Sequence, residues 1–186
     1  MGFINSPFWL SALISKIFAD MRHVKGFFDD ILIATKGSFE DHMKEVNEVL
    51  RRLEGQNLQV NADKSAWAVK EVEYLGFVLT PTGIKPQPRK VKAILEMREP
   101  KNRKELRRFI GFVNYYRYLW QDRSQTLAPF TSMTSAKVKW KWGEPQQTAF
   151  EAMKQIVAKE VLLTFPDWSR KEGFEIFVDA SKDAIG

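Results

Sequence analysis

Asp29 and Asp30 stand side by side in the run FFDDILIA, with aromatic residues before them and branched ones after. Two adjacent carboxylates repel, and each pKa is driven up unless a cation neutralises the pair. Hard oxygen ligands select a hard divalent ion, Mg2+ or Mn2+, and suit phosphate-bearing substrates. Phosphoryl transfer often uses two metals about 4 Å apart, whose ligands come from more than one element. The same dipeptide also fits an ordinary hairpin turn, where aspartate is common.

Other residue types narrow the chemistry. The chain has 186 residues, no Cys and only two His, His23 and His42. Disulfides, thiol catalysis and cysteine-ligated metals are excluded, and a zinc site is disfavoured. The net charge is +6, which favours a polyanionic partner. The charge is uneven, because ten basic residues between Lys85 and Arg108 face three acidic ones. Arg103, Lys104, Arg107 and Arg108 share one predicted helix face, so they could contact phosphates or simply be a solvated surface. The segment KVKWKW, Lys137 to Trp142, reads either as a base-stacking strip or as an edge strand protected by lysines.

Hydropathy and turn residues predict the elements that hold these groups. No apolar run reaches 18 residues, so no membrane-spanning helix is expected. A helix is predicted over Pro7–Ala19, with Ser6 as its cap. Two short strands should flank Asp29–Asp30. Phe39, Met43, Val46, Leu50 and Leu53 recur at helical spacing, with Ser38 as cap and Gly55 as stop. A hairpin is expected with strands near Ala66–Val69 and Glu73–Leu79. Pro86 and Pro88 mark a boundary, followed by helices at Arg89–Met97 and Arg103–Trp120, the second capped by Asn102 with Glu105 as the capping-box acid. The segment 121–145 reads as turn-rich, and Pro145–Lys159 as a further helix. Phe174–Val178 alternates like a strand that starts without a partner, which suggests truncation.

Several motifs, in order, resemble one family. FFDDILIA looks like the Y-x-D-D polymerase motif of reverse transcriptases of Ty3/gypsy-like long-terminal-repeat retrotransposons. GFINSPFWLSALISKIF resembles the stretch before that motif, and NLQVNADKS the segment after it. EYLGFVLTPTGIKPQPRKVKAI resembles the primer-grip turn and the thumb entry, and ELRRFIGFVNYYRYL the thumb helix. LAPFTSMT, the W-x-W pair and AFEAMK resemble the connection, and FVDAS the first ribonuclease H strand.

The resemblance implies an α+β fold: a partial palm (1–80), a helical thumb (81–128), an α/β connection (129–170) and the first strand of a ribonuclease H-like domain (171–186). It implies that Asp29 and Asp30 help hold catalytic Mg2+ or Mn2+, and that Asp179 is the first ribonuclease H carboxylate. Phe27 stands where the family has Tyr, and Phe28 at the variable position, both beside the nucleotide or primer end. Lys64 matches a lysine that could protonate leaving pyrophosphate or be purely structural. Tyr74, Leu75 and Gly76 match the primer grip. Arg103, Lys104, Arg107 and Arg108 would hold the nucleic-acid backbone.

The expected partners are an RNA–DNA hybrid or DNA duplex, with dNTP only in the complete enzyme, and the missing polyprotein segments. No membrane partner is expected. The expected location is intracellular, in a cytoplasmic particle or the nucleus. Only 28 residues precede Asp29, so the family's upstream aspartate and fingers are expected to be missing. The expectation is therefore a polymerase fragment inactive alone. The alternative is a non-catalytic nucleic-acid or protein-binding module derived from a retroelement.

Overall fold

The structure, a computed structural model, describes residues 4–120, 123–159, 161–169 and 173. Its α+β architecture has two hydrophobic cores. The first is built by α1 (Ser6–Ile17), β1 (Val24–Phe27), β2 (Asp30–Ile33) and α2 (Phe39–Glu54). Strands β1 and β2 pair antiparallel, with Phe27 opposite Asp30. Helix α1 lies so close over β1 that a Cβ at Gly26 would collide with the Ile14 side chain. Glycine is the residue that permits this approach. The predicted cap Ser6 is already helical, and Asn5 precedes it without a side-chain cap bond.

Helix α2 forms as its spacing predicts. Ser38 accepts from the Asp41 N–H, while the Asp41 carboxylate reaches back to the Ser38 N–H. Val46, Val49 and Leu53 are buried, whereas Phe39, expected on the same face, is exposed. Arg52 crosses from α2 to Asp20 at 2.5 Å and to the Ile17 carbonyl at 2.8 Å, fastening the end of α1.

A second sheet runs in the order β3 (Val72–Tyr74), β4 (Phe77–Leu79), β5 (Gly83–Pro86), β6 (Leu163–Thr164), all antiparallel. The strand expected at Ala66–Val69 is absent. Ala68 has φ 50°, in the left-handed region, which interrupts extended backbone there. The hairpin is instead the tighter pair β3–β4, closed by Leu75 and Gly76. Strand β6 adds a fourth edge after a long return, and a Cβ on Gly83 would strike the Leu163 carbonyl.

The larger core gathers α3 (Pro88–Leu95), α4 (Arg103–Tyr115), α5 (Arg123–Thr131) and α6 (Glu144–Ala158). Phe109, Phe130 and Phe150 meet at its centre, with ring centroids 4.8 and 6.1 Å apart. Helix α4 stops at Tyr115, not Trp120. The apolar spacing continues because Tyr116, Leu119 and Trp120 stay buried in the turn that follows. Helix α5 was not predicted. Its segment is rich in turn residues, includes Pro129 and buries only Leu127 and Phe130.

The two tryptophans of KVKWKW pack inward, and the segment fits neither of its two expected readings. Trp142 stacks on Phe130 at 5.8 Å and on Trp140 at 6.0 Å, against the large core. Residues 137–142 form neither a strand nor a free stacking strip. No helix among the described residues is long and apolar enough to cross a membrane.

Candidate nucleic-acid interface

Phe28 and Asp29 form the two-residue connection between β1 and β2, and Asp30 opens β2. Phe28 has φ 53°, a conformation that costs an ordinary L-residue about 1 kcal/mol. Both aspartates are exposed, and no side-chain hydrogen bond or ion pair engages their carboxylates among the described residues. The rings of Phe27 and Phe28 meet edge to face at 4.6 Å and are also exposed. The donor set is chemically right for Mg2+, but two carboxylates are only part of a ligand shell. Among the described residues no three His, Cys, Asp or Glu come together to hold a metal ion. Asp20, the nearest preceding aspartate in sequence, is held by Arg52, which lowers its carboxyl to about 2. Asp179 lies outside the described residues.

Lys64 ends a short 3-10 turn, Ala62–Lys64, whose start is capped by the Asn61 side chain. It is exposed, and no contact joins it to Asp29 or Asp30 among the described residues. Tyr74 does approach the carboxylate turn. Its hydroxyl donates to the Lys25 carbonyl at 3.5 Å. Burial raises the Tyr74 pKa, and the Asp30 charge raises it further.

Leu75 and Gly76 connect β3 to β4 with φ 46° and 81°. Positive φ at both central residues suits the twist of a two-residue hairpin, and the strain falls on Leu75 because glycine has no Cβ. Both carbonyls of this turn are captured. The Tyr115 hydroxyl donates to Leu75 O at 2.5 Å and the Tyr116 hydroxyl to Gly76 O at 2.6 Å. Phe77, the next residue, stacks on Tyr115 and meets Tyr116 edge-on. Burial pushes the Tyr116 hydroxyl up to about 12, partly offset by the Gln87 backbone.

Beside Tyr115 opens a cleft of about 300 Å³, lined by Lys90, Arg108, Gly111, Phe112 and Tyr115 and backed by Tyr116. The Lys90 ammonium sits 4.3 Å above the Tyr115 ring, and Arg108 lies over Phe112 at 5.7 Å. Phe112 and Tyr115 remain partly exposed. A Cβ at Gly111 would meet nothing within 4 Å, so packing does not demand glycine there. Lys90 and Gly111 were not singled out from the sequence as individual contacts. Their signal was the KVKAI and RRFIGF spacing, readable only once α3 and α4 are packed together.

The four predicted backbone-contacting residues do not behave alike. Lys104 and Arg108 point outward. Arg103 is half-buried and donates to the Val138 carbonyl, and its Nε is buried without a partner. Arg107 donates to the Thr134 carbonyl. These two guanidiniums pin residues 132–138 to α4, so the expectation of four free outward cations is corrected. The local positive excess is also smaller than the sequence window implied. Lys85 pairs with Glu71, and Arg89 with Glu73, both acids lying outside that window.

Residues 1–79 match the family model described as reverse transcriptase (RNA-dependent DNA polymerase). The Transposon Tf2-3 polyprotein of Schizosaccharomyces pombe is 34% identical over 187 residues, covering 100% of this chain and 14% of the relative. The Tf2-7 polyprotein of the same organism matches at the same identity and coverage. The chain thus spans about 14% of the length of these curated relatives. Among solved structures, a foamy viral protease-reverse transcriptase dRH in complex with ds DNA superposes with TM-score 0.82 at 25% identity, over 90% of this chain and 30% of the other. The foamy viral protease-reverse transcriptase in complex with RNA/DNA hybrid gives TM-score 0.75 at 24% identity, over 88% of this chain and 22% of the other.

Proposed function

From the premise that this chain belongs to the reverse transcriptase family, in its Ty3/gypsy-like retrotransposon line, we propose that it grips a nucleic-acid duplex beside a carboxylate turn. The observation that carries this reading is one chain of contacts. Tyr74 touches β1, the strand that leads into the Asp29–Asp30 turn, and the adjoining Leu75–Gly76 turn is bound by Tyr115, which walls the basic cleft. Lys90 and Arg108 supply positive charge to a phosphate backbone, and Phe112 and Tyr115 supply apolar and ring surface. Gly111 leaves room for close approach. Such contacts hold a duplex without reading its sequence. The solved relatives bound to ds DNA and to RNA/DNA hybrid support the choice of ligand.

In this reading residues 1–80 are the C-terminal part of a palm, 81–128 a thumb, 129–170 a connection and 171–186 the opening of a ribonuclease H-like domain. Asp29 and Asp30 would contribute two oxygen-bearing groups to a Mg2+ or Mn2+ site. When bound, the ion would supply charge stabilisation for phosphoryl transfer to a primer end. Phe27 and Phe28 would flank that end, with Leu75–Gly76 supporting it, and Lys64 remains a candidate proton donor. In this reading the chain's own contribution to RNA-directed DNA synthesis is to hold the duplex.

The test is binding of a fluorescent RNA–DNA hybrid to the chain, measured by anisotropy at low salt. The expected affinity is about 10⁻⁴ to 10⁻⁶ M, typical of non-specific binding. Replacing both Lys90 and Arg108 by Glu should weaken it roughly tenfold or more. Equal binding by that variant and the parent chain would remove the cleft from the account.

A further inference from the structure

The Leu75–Gly76 turn is held from outside its own hairpin. The two-residue hairpin puts Leu75 as well as Gly76 at positive φ, a strain that leucine bears and glycine does not, and both carbonyls of the turn accept from tyrosines at the end of α4, forty residues on. Gly76 is locked from the other side as well, since a Cβ there would run into the Tyr115 hydroxyl and lie 2.8 Å from the Lys90 ammonium. Tyr115 is shared between the clamp and the cleft wall, whereas Tyr116 is only 1% exposed. Tyr116 closes off the underside through its bond to Gly76 and its ring contact with Phe77.

We propose that Tyr116, working with Tyr115, is a positioning residue that couples the cleft to the Leu75–Gly76 turn, so that seating a duplex on α4 rigidifies the turn beside the primer end. This rests on the reading of the cleft as a duplex grip. The physical basis is local. A two-residue turn in a strained conformation opens when its carbonyls lose their donors, and a ligand that rigidifies α4 stabilises the donors it carries. The substrate class is the duplex with a recessed 3′ end, because coupling matters only where the primer terminus meets the turn.

The experiment is hydrogen–deuterium exchange on the full chain, followed by mass spectrometry of peptides covering residues 74–79 and 105–116. It is run free and with saturating RNA–DNA hybrid. In the parent chain, hybrid should slow exchange in both peptides. In Tyr116→Phe the free chain should exchange several-fold faster at 74–79. Hybrid should still protect 105–116 but no longer protect the turn. A general structural role would not separate the two peptides in this way. Tyr115→Phe, which removes only the Leu75 bond from a partly exposed ring, serves as a second variant should Tyr116→Phe fail to fold, with a smaller increase expected at 74–79. Equal turn exchange in parent and variant overturns the clamp, as does hybrid protection of the turn that survives loss of the hydroxyl. Indifference of 105–116 to hybrid in the parent contradicts the cleft reading instead. The clamp is then judged by the free-chain comparison, where equal exchange overturns it.

Discussion

Two residues carry predictions that follow from their surroundings alone. The Asp30 carboxylate is exposed and makes no hydrogen bond or ion pair among the described residues, yet its charge raises the Tyr74 pKa after burial has done so. Asp30→Asn should therefore bring the Tyr74 hydroxyl down toward its ordinary value, read by ultraviolet titration against a Tyr74→Phe control. It should leave stability within about 0.5 kcal/mol, as expected for a surface change that breaks no bond. An unmoved Tyr74 titration would mean that the two groups do not approach as described. Tyr116 makes a different case. Its folded pKa of about 12 lies above the unfolded value of about 10. Its contribution is complete below pH 10 and fades as pH rises toward 12, by up to roughly 2 kcal/mol. Urea midpoints at pH 8 and pH 11 should diverge more for the parent chain than for Tyr116→Phe. The acidic dipeptide was legible because it sits in a short, sharply patterned segment. The Tyr116 contact to Gly76 was not, since no local pattern announces a hydrogen bond spanning forty residues.

At the scale of elements, what could be read was whatever the chain states locally. Helix α2 declares its start through Ser38 and Asp41, and α4 through Asn102, whose side chain accepts from the Glu105 N–H. Glu105 itself reaches the Lys101 N–H and the Asn102 amide, so the expected capping acid is present with slightly shifted partners. What could not be read depends on partners brought from afar. Helix α5 has little amphipathic pattern, and β6 exists only because Gly83 lets Leu163 come close. Arg103 and Arg107 looked like free surface cations because helical spacing says where a side chain leaves the helix and not which carbonyl awaits it. The same close-approach argument predicts the effect of filling Gly26. Gly26→Val must displace α1 from β1 through the Ile14 side chain, costing about 2 kcal/mol. A urea unfolding curve would check this, and a neutral result would show that α1 does not pack there.

For the whole molecule, the charge distribution matters more than its total. The sequence places ten basic residues between Lys85 and Arg108, but folding pairs Lys85 and Arg89 with acids from β3 and the residue before it, and turns Arg103 and Arg107 toward carbonyls. Lys90 and Arg108 are the cations that remain at the cleft, with Lys104 exposed on the same helix as Arg108. The most direct measurement of the central claim is a salt titration of RNA–DNA hybrid binding. It compares the parent chain, Lys90→Glu with Arg108→Glu, and a control carrying Lys44→Glu with Arg51→Glu on α2, which makes the same change in net charge. Each phosphate contact contributes about 0.9 to the slope of log affinity against log salt on B-DNA. The parent slope should be about 2 to 3, and the cleft variant should lose most of it while the control keeps it. Equal slopes in the parent and the cleft variant, or an equal loss in both variants, would contradict the assignment of the duplex to this cleft.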